Sequence, residues 1–248
     1  MKPKISIETS RAPIDPVSPP PWYNQRMPRD LEIQLAGQSA VLMPERTLHL
    51  PELDLLLAAD LHLGKAETYR SLGVAMPEGI AEESLERLEG AINRCGAGRV
   101  TILGDLVHCE EGMEDPIVDL FARWRRRMTT PISLIGGNHD ADVSIPRSWG
   151  IDDDGDQRRT GPFLLRHHPR PSGDEIAEDA PFLLAGHLHP VLSLGEGARR
   201  VLAHAFLLDL RQMVLPAFTP FARGARVHSD PDRDRQVFVI AEGQVVAT

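Results

Sequence analysis

The 248-residue chain is short of several things, and each shortage excludes a class of protein. It has two cysteines, Cys95 and Cys109, too few for a disulfide framework, so a reducing cytoplasm is the expected setting. No apolar run approaches the ~18–20 residues that span a bilayer, and no N-terminal basic-plus-apolar signal pattern is present, so no membrane partner is expected. Positive charge is also scarce. A net charge of -9 and a pI of about 5.6 are the reverse of what a basic nucleic-acid coat protein needs. That balance leaves room for an enzyme acting on phosphodiesters, because bound dications supply positive charge locally. Aromatic residues amount to 5%, and no platform for stacking single-stranded bases can be picked out among them.

Proline is plentiful at one end. Residues 1–30 include Pro19-Pro20-Pro21 and few large apolar side chains. Such a stretch cannot bury enough surface to offset its ordering entropy, so an extended or disordered tail is expected, with Trp22 and Tyr23 as candidates to pin its end. One domain, residues 31–248, comes after it. Ser39–Met43, Thr47–Leu50 and Leu53–Ala59 read as short strands, and a loop or short helix comes after Gly64-Lys65. Ile80, Leu85, Leu88 and Ile92 fall on one helical face, which predicts a helix from Ile80 to Asn93. Asp115-Pro116 opens a second helix, with a capping carboxylate and proline at its first position, and Ile117, Leu120, Phe121, Trp124 and Met128 form its core stripe. Arg123, Arg125, Arg126 and Arg127 occupy its solvated faces. The strand–helix alternation predicts a mostly parallel sheet. Beyond Arg147, short β-like runs predict a second sheet packed on the first, with at most one short helix near Glu175 to Glu178. Asp152-Asp153-Asp154-Gly155-Asp156 lacks the ligand spacing of a calcium loop and reads as an acidic surface turn.

The chemistry is concentrated where apolar runs stop. Leu55–Ala59 ends in Asp60-Leu61-His62, and Val100–Leu103 in Gly104-Asp105-Leu106-Val107-His108. Pro131–Ile135 ends in Gly136-Gly137-Asn138-His139-Asp140, Phe163–Arg166 in His167-His168, and Phe182–Ala185 in Gly186-His187-Leu188-His189. Each run reads as a buried strand releasing Asp, Asn or His at its carboxyl end, which predicts one shared metal site. Asp60, His62, Asp105, Asn138, His167, His187 and His189 together offer three oxygen donors and four imidazoles. A mixed oxygen and nitrogen set suits manganese, iron or zinc, with manganese favoured, and it exceeds what one tetrahedral ion needs. It suits two divalent ions with one carboxylate shared between them, an arrangement that activates water and clamps both oxygens of an in-line displacement at phosphorus. Alternate residues leaving a strand point to the same side, so Asp60 and His62, and His187 and His189, can act as pairs. His139, next to Asn138, points differently, which makes it a candidate acid or electrostatic clamp. Either His167 or His168 fits the end of its strand. Gly64-Lys65 is not a phosphate-binding P-loop, since Ala59 and Ala66 stand where glycine and Ser/Thr are required.

In this order the motifs resemble the signature of the calcineurin-like metallophosphoesterases: D-x-H, G-D-x-x, G-N-H-[DE], a lone H and G-H-x-H. The resemblance implies a four-layer αββα sandwich of two mixed β-sheets flanked by helices, with a dinuclear site at the strand ends. Carried over by position, Asp60, His62 and His189 hold one metal, and Asn138, His167 and His187 the other. Asp105 bridges them, and His139 stabilises or protonates the leaving oxygen. A narrower resemblance runs from about residue 31 to 226. Asp60-Leu61-His62-Leu63-Gly64-Lys65, Arg70 to Gly73, Pro77, His167-His168-Pro169, Pro190 and Leu215-Pro216-Ala217-Phe218 are similar to the bacterial ligase-associated DNA-damage-response endonuclease group (PdeM). That likeness implies DNA as substrate and DNA-repair proteins as partners. The proline-rich tail and Thr219-Pro220-Phe221 depart from its pattern.

The expectation is therefore a metal-dependent phosphodiesterase, a DNA endonuclease in the sharpest form. Lys65, Arg70 and His108 are the candidates to meet substrate phosphate. Arg158-Arg159, Arg199-Arg200, Arg223 and Arg226 form either a local basic rim or scattered solvent-facing charges. A phosphomonoesterase acting on a nucleotide or small ester is the alternative. Its phosphoprotein version lacks the arginine motif such enzymes carry after G-D, because Leu106-Val107-His108-Cys109 stands there. An inactive scaffold predicts eroded ligands, and none is eroded.

Overall fold

The structure, a computed structural model, describes residues 28–171, 176–195, 197–230 and 234–248. In chain order the first sheet is built from β1 (Leu31–Leu35), β2 (Gln38–Met43), β3 (Thr47–Leu50), β4 (Leu55–Ala58), β5 (Arg99–Leu103), β6 (Ile132–Ile135) and β7 (Ile151–Asp153), which lie side by side in that order. Helix α1 (Lys65–Ser71) and helix α2 (Ile80–Cys95) connect β4 to β5, and α3 (Asp115–Arg127) connects β5 to β6. The second sheet takes β8 (Gln157–Thr160), β9 (Phe163–Arg166), β10 (Phe182–Ala185), β11 (Val191–Leu194), β12 (Val201–Asp209), β13 (Gln212–Val214), β14 (Gln236–Ala241) and β15 (Gln244–Ala247). Its order is β15-β14-β12-β13-β10-β9-β8, with β11 paired to β12. Two mixed sheets face each other, as expected.

The first sheet is parallel only from β4 to β7. Strands β1 to β4 form an antiparallel meander, because short turns join them and a parallel return needs a crossover helix. The β1–β2 hairpin closes over Ala36-Gly37, both at positive φ, as a two-residue hairpin turn demands. Strand β4 is buried along its whole length and feeds two cores. Leu56 and Ala58 pack toward α2 and α3, while Leu57 and Leu55 pack between the sheets against Phe163, Leu165, Leu184 and Phe206. Its unbroken apolar run, rather than an alternating one, reflects being covered on both faces. Trp124 and Met128 are core residues, and Phe121 stacks on Trp149 at 4.1 Å. On its outer face the second sheet buries Ala205, Leu207, Val214 and Val237 beneath Leu192 of β11 and Val227. No α-helix covers that face among the described residues.

Several local expectations are corrected. The two runs Arg200–Ala203 and Phe206–Leu208 are one strand, β12. Asp152 and Asp153 belong to β7, exposed at the sheet edge, and the turn itself is confined to Gly155 and Asp156. Strand β1, Leu31-Glu32-Ile33-Gln34-Leu35, alternates apolar and polar residues but was not among the expected strands, whereas β8 and β13 carry no strong apolar alternation and owe their form to neighbours already in place. Residues 176–178 are not helical, and Glu175 lies outside the described residues. The tail expected over residues 1–30 lies outside them up to residue 27, Trp22 and Tyr23 included. Arg29 donates its N–H to the Gly243 carbonyl at 3.1 Å, and Asp30 pairs with Arg94 at 2.7 Å.

Leu57 is fully buried in the layer between the sheets. Leu57→Ala is expected to lower unfolding stability by about 2–5 kcal/mol, through lost transfer energy plus a cavity. Urea denaturation checks it, as a lower midpoint at an unchanged slope.

Candidate metal centre

The carboxyl ends of β4, β5 and β6 in one sheet meet those of β9 and β10 in the other. The chain does something costly there. Asp60 (φ 57), His62 (φ 47), Asp105 (φ 52), His187 (φ 70) and His189 (φ 49) all adopt the left-handed backbone. Such residues cost roughly 1–3 kcal/mol each and persist only where surroundings hold them. The surroundings here are explicit. Asp60 N–H donates to the Gly104 carbonyl at 3.1 Å, His62 N–H to that of Asp105 at 2.9 Å, and Leu63 N–H to that of Leu106 at 2.9 Å. The Asp140 carboxylate accepts from the N–H groups of Asp105 (2.8 Å), Gly137 (3.0 Å) and Val107 (3.2 Å), so it shapes the second and third loops. Burial raises its pKa, and the N–H donors oppose that rise.

The side chains then converge. Nε2 of His189 lies 3.1 Å from Asp60 Oδ1 and 3.3 Å from His62 Nε2. On the other side, His167 Nε2 lies 3.1 Å from Asn138 Oδ1 and 3.1 Å from His187 Nδ1. Asp105 stands between the two groups, with Oδ2 3.8 Å from His62 Nε2 and Oδ1 3.5 Å from His167 Nε2. Both carboxylates are almost fully buried, Asp60 at 0% and Asp105 at 1% exposure. Second partners fix the imidazoles. His167 Nδ1–H donates to the Leu103 carbonyl at 2.8 Å, which turns its Nε2 lone pair into the cluster, and His189 Nδ1–H donates to that of Arg223 at 3.1 Å, which aims its Nε2 at Asp60.

Burial drives the His62 imidazole far below its ordinary range, and Lys65 and the neighbouring imidazoles add to this. Burial likewise lowers His187, with His167 and His168 contributing. His189 is the exception: burial pulls it down, but its hydrogen bond to Asp60 prevails and raises it. Neutral imidazole lone pairs packed against buried carboxylates are a donor set for cations, and a divalent ion fits the residues present. His62 Nδ1 is buried without a hydrogen-bond partner.

Every expected metal ligand is brought into this one place. His167 is buried and His168 is exposed, although the His168 ring still lies 4.3 Å from that of His187. His139 does point differently from Asn138. Its N–H donates to Asp105 Oδ1 at 2.9 Å, and its Nδ1–H to the His108 carbonyl at 2.6 Å. The His108 ring stacks on it at 4.9 Å, and burial lowers the pKa of His108 to about 4. Lys65 is pulled down by burial while Asp105 and Asp60 push it up, so its ammonium lies in the field of both carboxylates. Arg70 is otherwise engaged. Its guanidinium bonds Glu67 at 2.5 Å and the Pro77 carbonyl at 2.6 Å, bracing the segment after α1. Gly104 has φ +80, and a Cβ there would lie 2.2 Å from His167 Nδ1.

The Phe218 segment, singled out in the sequence as Leu215-Pro216-Ala217-Phe218, braces the site through contacts that the motif did not reveal. Phe218 N–H donates to the Ala59 carbonyl at 2.8 Å and Thr219 N–H to that of Asp60 at 3.2 Å. Arg46 and Arg87 both donate to the Phe218 carbonyl, at 2.8 and 2.5 Å. No local signal marks either arginine, because they meet only after β3 and α2 have packed.

Residues 53–235 match the family model for the calcineurin-like phosphoesterase. The chain belongs to that family. Among solved structures, the phosphoesterase is similar to the nuclease MPE of Pseudomonas putida, with 28% identity and a TM-score of 0.74 over 89% of this chain and 100% of that one. A phosphoesterase of E. coli, Yfce, aligns at 13% identity and a TM-score of 0.42 over 78% of this chain and 96% of that one. No curated protein matches the phosphoesterase.

In the phosphoesterase, Gly104→Ala is expected to push the His167 ring out of place. Divalent metal bound per chain after reloading should fall while cooperative unfolding persists, since a single candidate ligand is displaced. Elemental analysis alongside thermal denaturation checks both halves.

Proposed function

We propose that the chain is a two-metal phosphodiesterase acting on DNA, with manganese as the working ion. The observation that carries this reading is Asp105, whose two carboxylate oxygens face two separate groups of donors. Asp60, His62 and His189 form one ligand group, and Asn138, His167 and His187 the other. Two divalent ions held there, when bound, supply positive charge against the phosphate oxygens and lower the pKa of a water. The protein's own residues do the rest. Asp60 and Asp105, buried and hydrogen-bonded to backbone N–H groups, keep their geometry without solvent reorganisation. His139 holds its ring through Nδ1–H and offers a proton at Nε2 to the departing oxygen. Lys65 and His108 line the approach and meet the non-bridging oxygens.

A diester rather than a monoester, and DNA rather than a small ester, is supported by the likeness to a nuclease across the whole of that protein's length. The resemblance of the motifs to repair-associated endonucleases adds a role in DNA repair beside repair proteins. Two free cysteines suit a reducing cytoplasm, and no described helix is long and apolar enough to cross a membrane.

The manganese-loaded protein is expected to hydrolyse bis-p-nitrophenyl phosphate in preference to p-nitrophenyl phosphate, with Asp105→Ala inactive on both. A preference for the monoester would sink the nuclease reading and redirect it to nucleotides and small phosphate esters. His139→Ala should keep its metal and lose ~10²–10⁴ in kcat, the contribution of a positioned general acid. An equal loss of metal in that variant would refute the proton-donor role.

A further inference from the structure

A groove of about 660 Å³ opens between α2, the β2–β3 turn, the start of β12 and the end of β14. Its size lies within the range of small-molecule sites. Leu194, Val201, Leu202 and Ile240 supply apolar walls, and Val201 (63%) and Leu202 (48%) are exposed at its mouth. Its floor is cationic. Arg46 and Arg87 both line it, and both spend one N–H group on the Phe218 carbonyl. Neither has an ion pair among the described residues, whereas Arg94 at the rim is matched by Asp30 and Glu45. Arg87 Nε and His204 Nδ1 are buried with no hydrogen-bond partner. Burial pushes Arg87 down to about 10, and Glu83 and Glu45 offset that only in part. Burial takes His204 to about 3, with Arg46 and Arg87 adding to it. Glu45, paired with Arg94, and Glu242 also line the groove, but two adjacent guanidiniums, Arg87 buried and Arg46 half-buried, with no ion pair of their own among the described residues are an unmet demand for negative charge.

One more feature keeps the groove open. Gly90 lines it from the interior of α2, and a Cβ there would meet nothing within 4 Å. Glycine inside a helix costs roughly 0.5–1 kcal/mol relative to alanine, and what it leaves here is room.

We propose that this groove is a second binding site, separate from the metal centre, for a small amphipathic anion. A carboxylate, sulfonate or phosphate head meets Arg46, with the Arg87 charge behind it, and an apolar body lies along Val201, Leu202 and Ile240. The site connects to the metal centre by a short path. The Phe218 carbonyl that both arginines hold belongs to the segment hydrogen-bonded to Ala59 and Asp60.

Anilinonaphthalene sulfonate is the probe, titrated by fluorescence into the full-length, manganese-loaded protein. One saturable site is expected. Decanoate should displace the probe at a concentration at least roughly tenfold below decyltrimethylammonium, the cation of the same tail length, because a charge-assisted hydrogen bond distinguishes them. Gly90→Leu fills the groove without touching a cation. It should weaken binding by roughly tenfold or more, at an equal or higher unfolding midpoint given the better helix former. Arg46→Met should weaken it similarly, and if that variant does not fold, Gly90→Leu decides alone. Wild-type affinity in Gly90→Leu, or equal displacement by the cationic and anionic amphiphiles, would overturn the proposal.

Discussion

Two buried carboxylates set the terms for the rest of this molecule. Asp60 and Asp105 lie in the seam between two sheets with almost no exposure, and an ionised group in such a place must be paired or hydrogen-bonded. The pairing is divided. His187 N–H and His189 Nε2 serve Asp60, while His139 N–H serves Asp105, with His62 and His167 nearby. Burial favours the neutral form of His62 and His187, and only His189 is raised by its bond to Asp60. A divalent cation satisfies the carboxylates and the lone pairs together.

The fold is arranged to deliver those groups. A hydrophobic strand buried on both faces can carry polar residues only where it ends, and parallel strands end together. Strands β4, β5 and β6 do this in one sheet, and β9 and β10 in the other, so two rows of strand ends face one another. Left-handed residues then turn the side chains inward, and hydrogen bonds between successive loops hold each turn. Asp140 bonds three N–H groups across the second and third loops without itself joining the donor set.

The same economy explains Phe218. Its N–H caps the carbonyl of Ala59, and its own carbonyl is held by two arginines, the half-buried Arg46 and the buried Arg87, which also lies over its ring at 4.4 Å. A late segment of the chain thereby braces the first metal-site loop from behind. The arginines that do this are left with positive charge facing an open groove, so the metal centre's support and the groove's electrostatics have one origin.

Much of this was legible in one dimension. Apolar runs that stop at Asp, Asn and His announce strand ends by composition alone, and helical spacing placed α2 and α3 to within about two residues. Donor types, and their number beyond one ion's needs, came from residue identity. Other features required the folded chain. Strands β8 and β13 are weak by local pattern and exist because a partner offers hydrogen bonds. His167 and His168 differ in burial, Arg70 and Lys65 in which carboxylate lies nearer, and Arg46 and Arg87 meet at a carbonyl more than a hundred residues away. The chain's own order of residues determined which chemistry could be assembled, because ligand type and strand periodicity are local properties. Only the tertiary structure decided which atoms meet, because burial, hydrogen-bond partners and electrostatic field are set by neighbours distant in sequence.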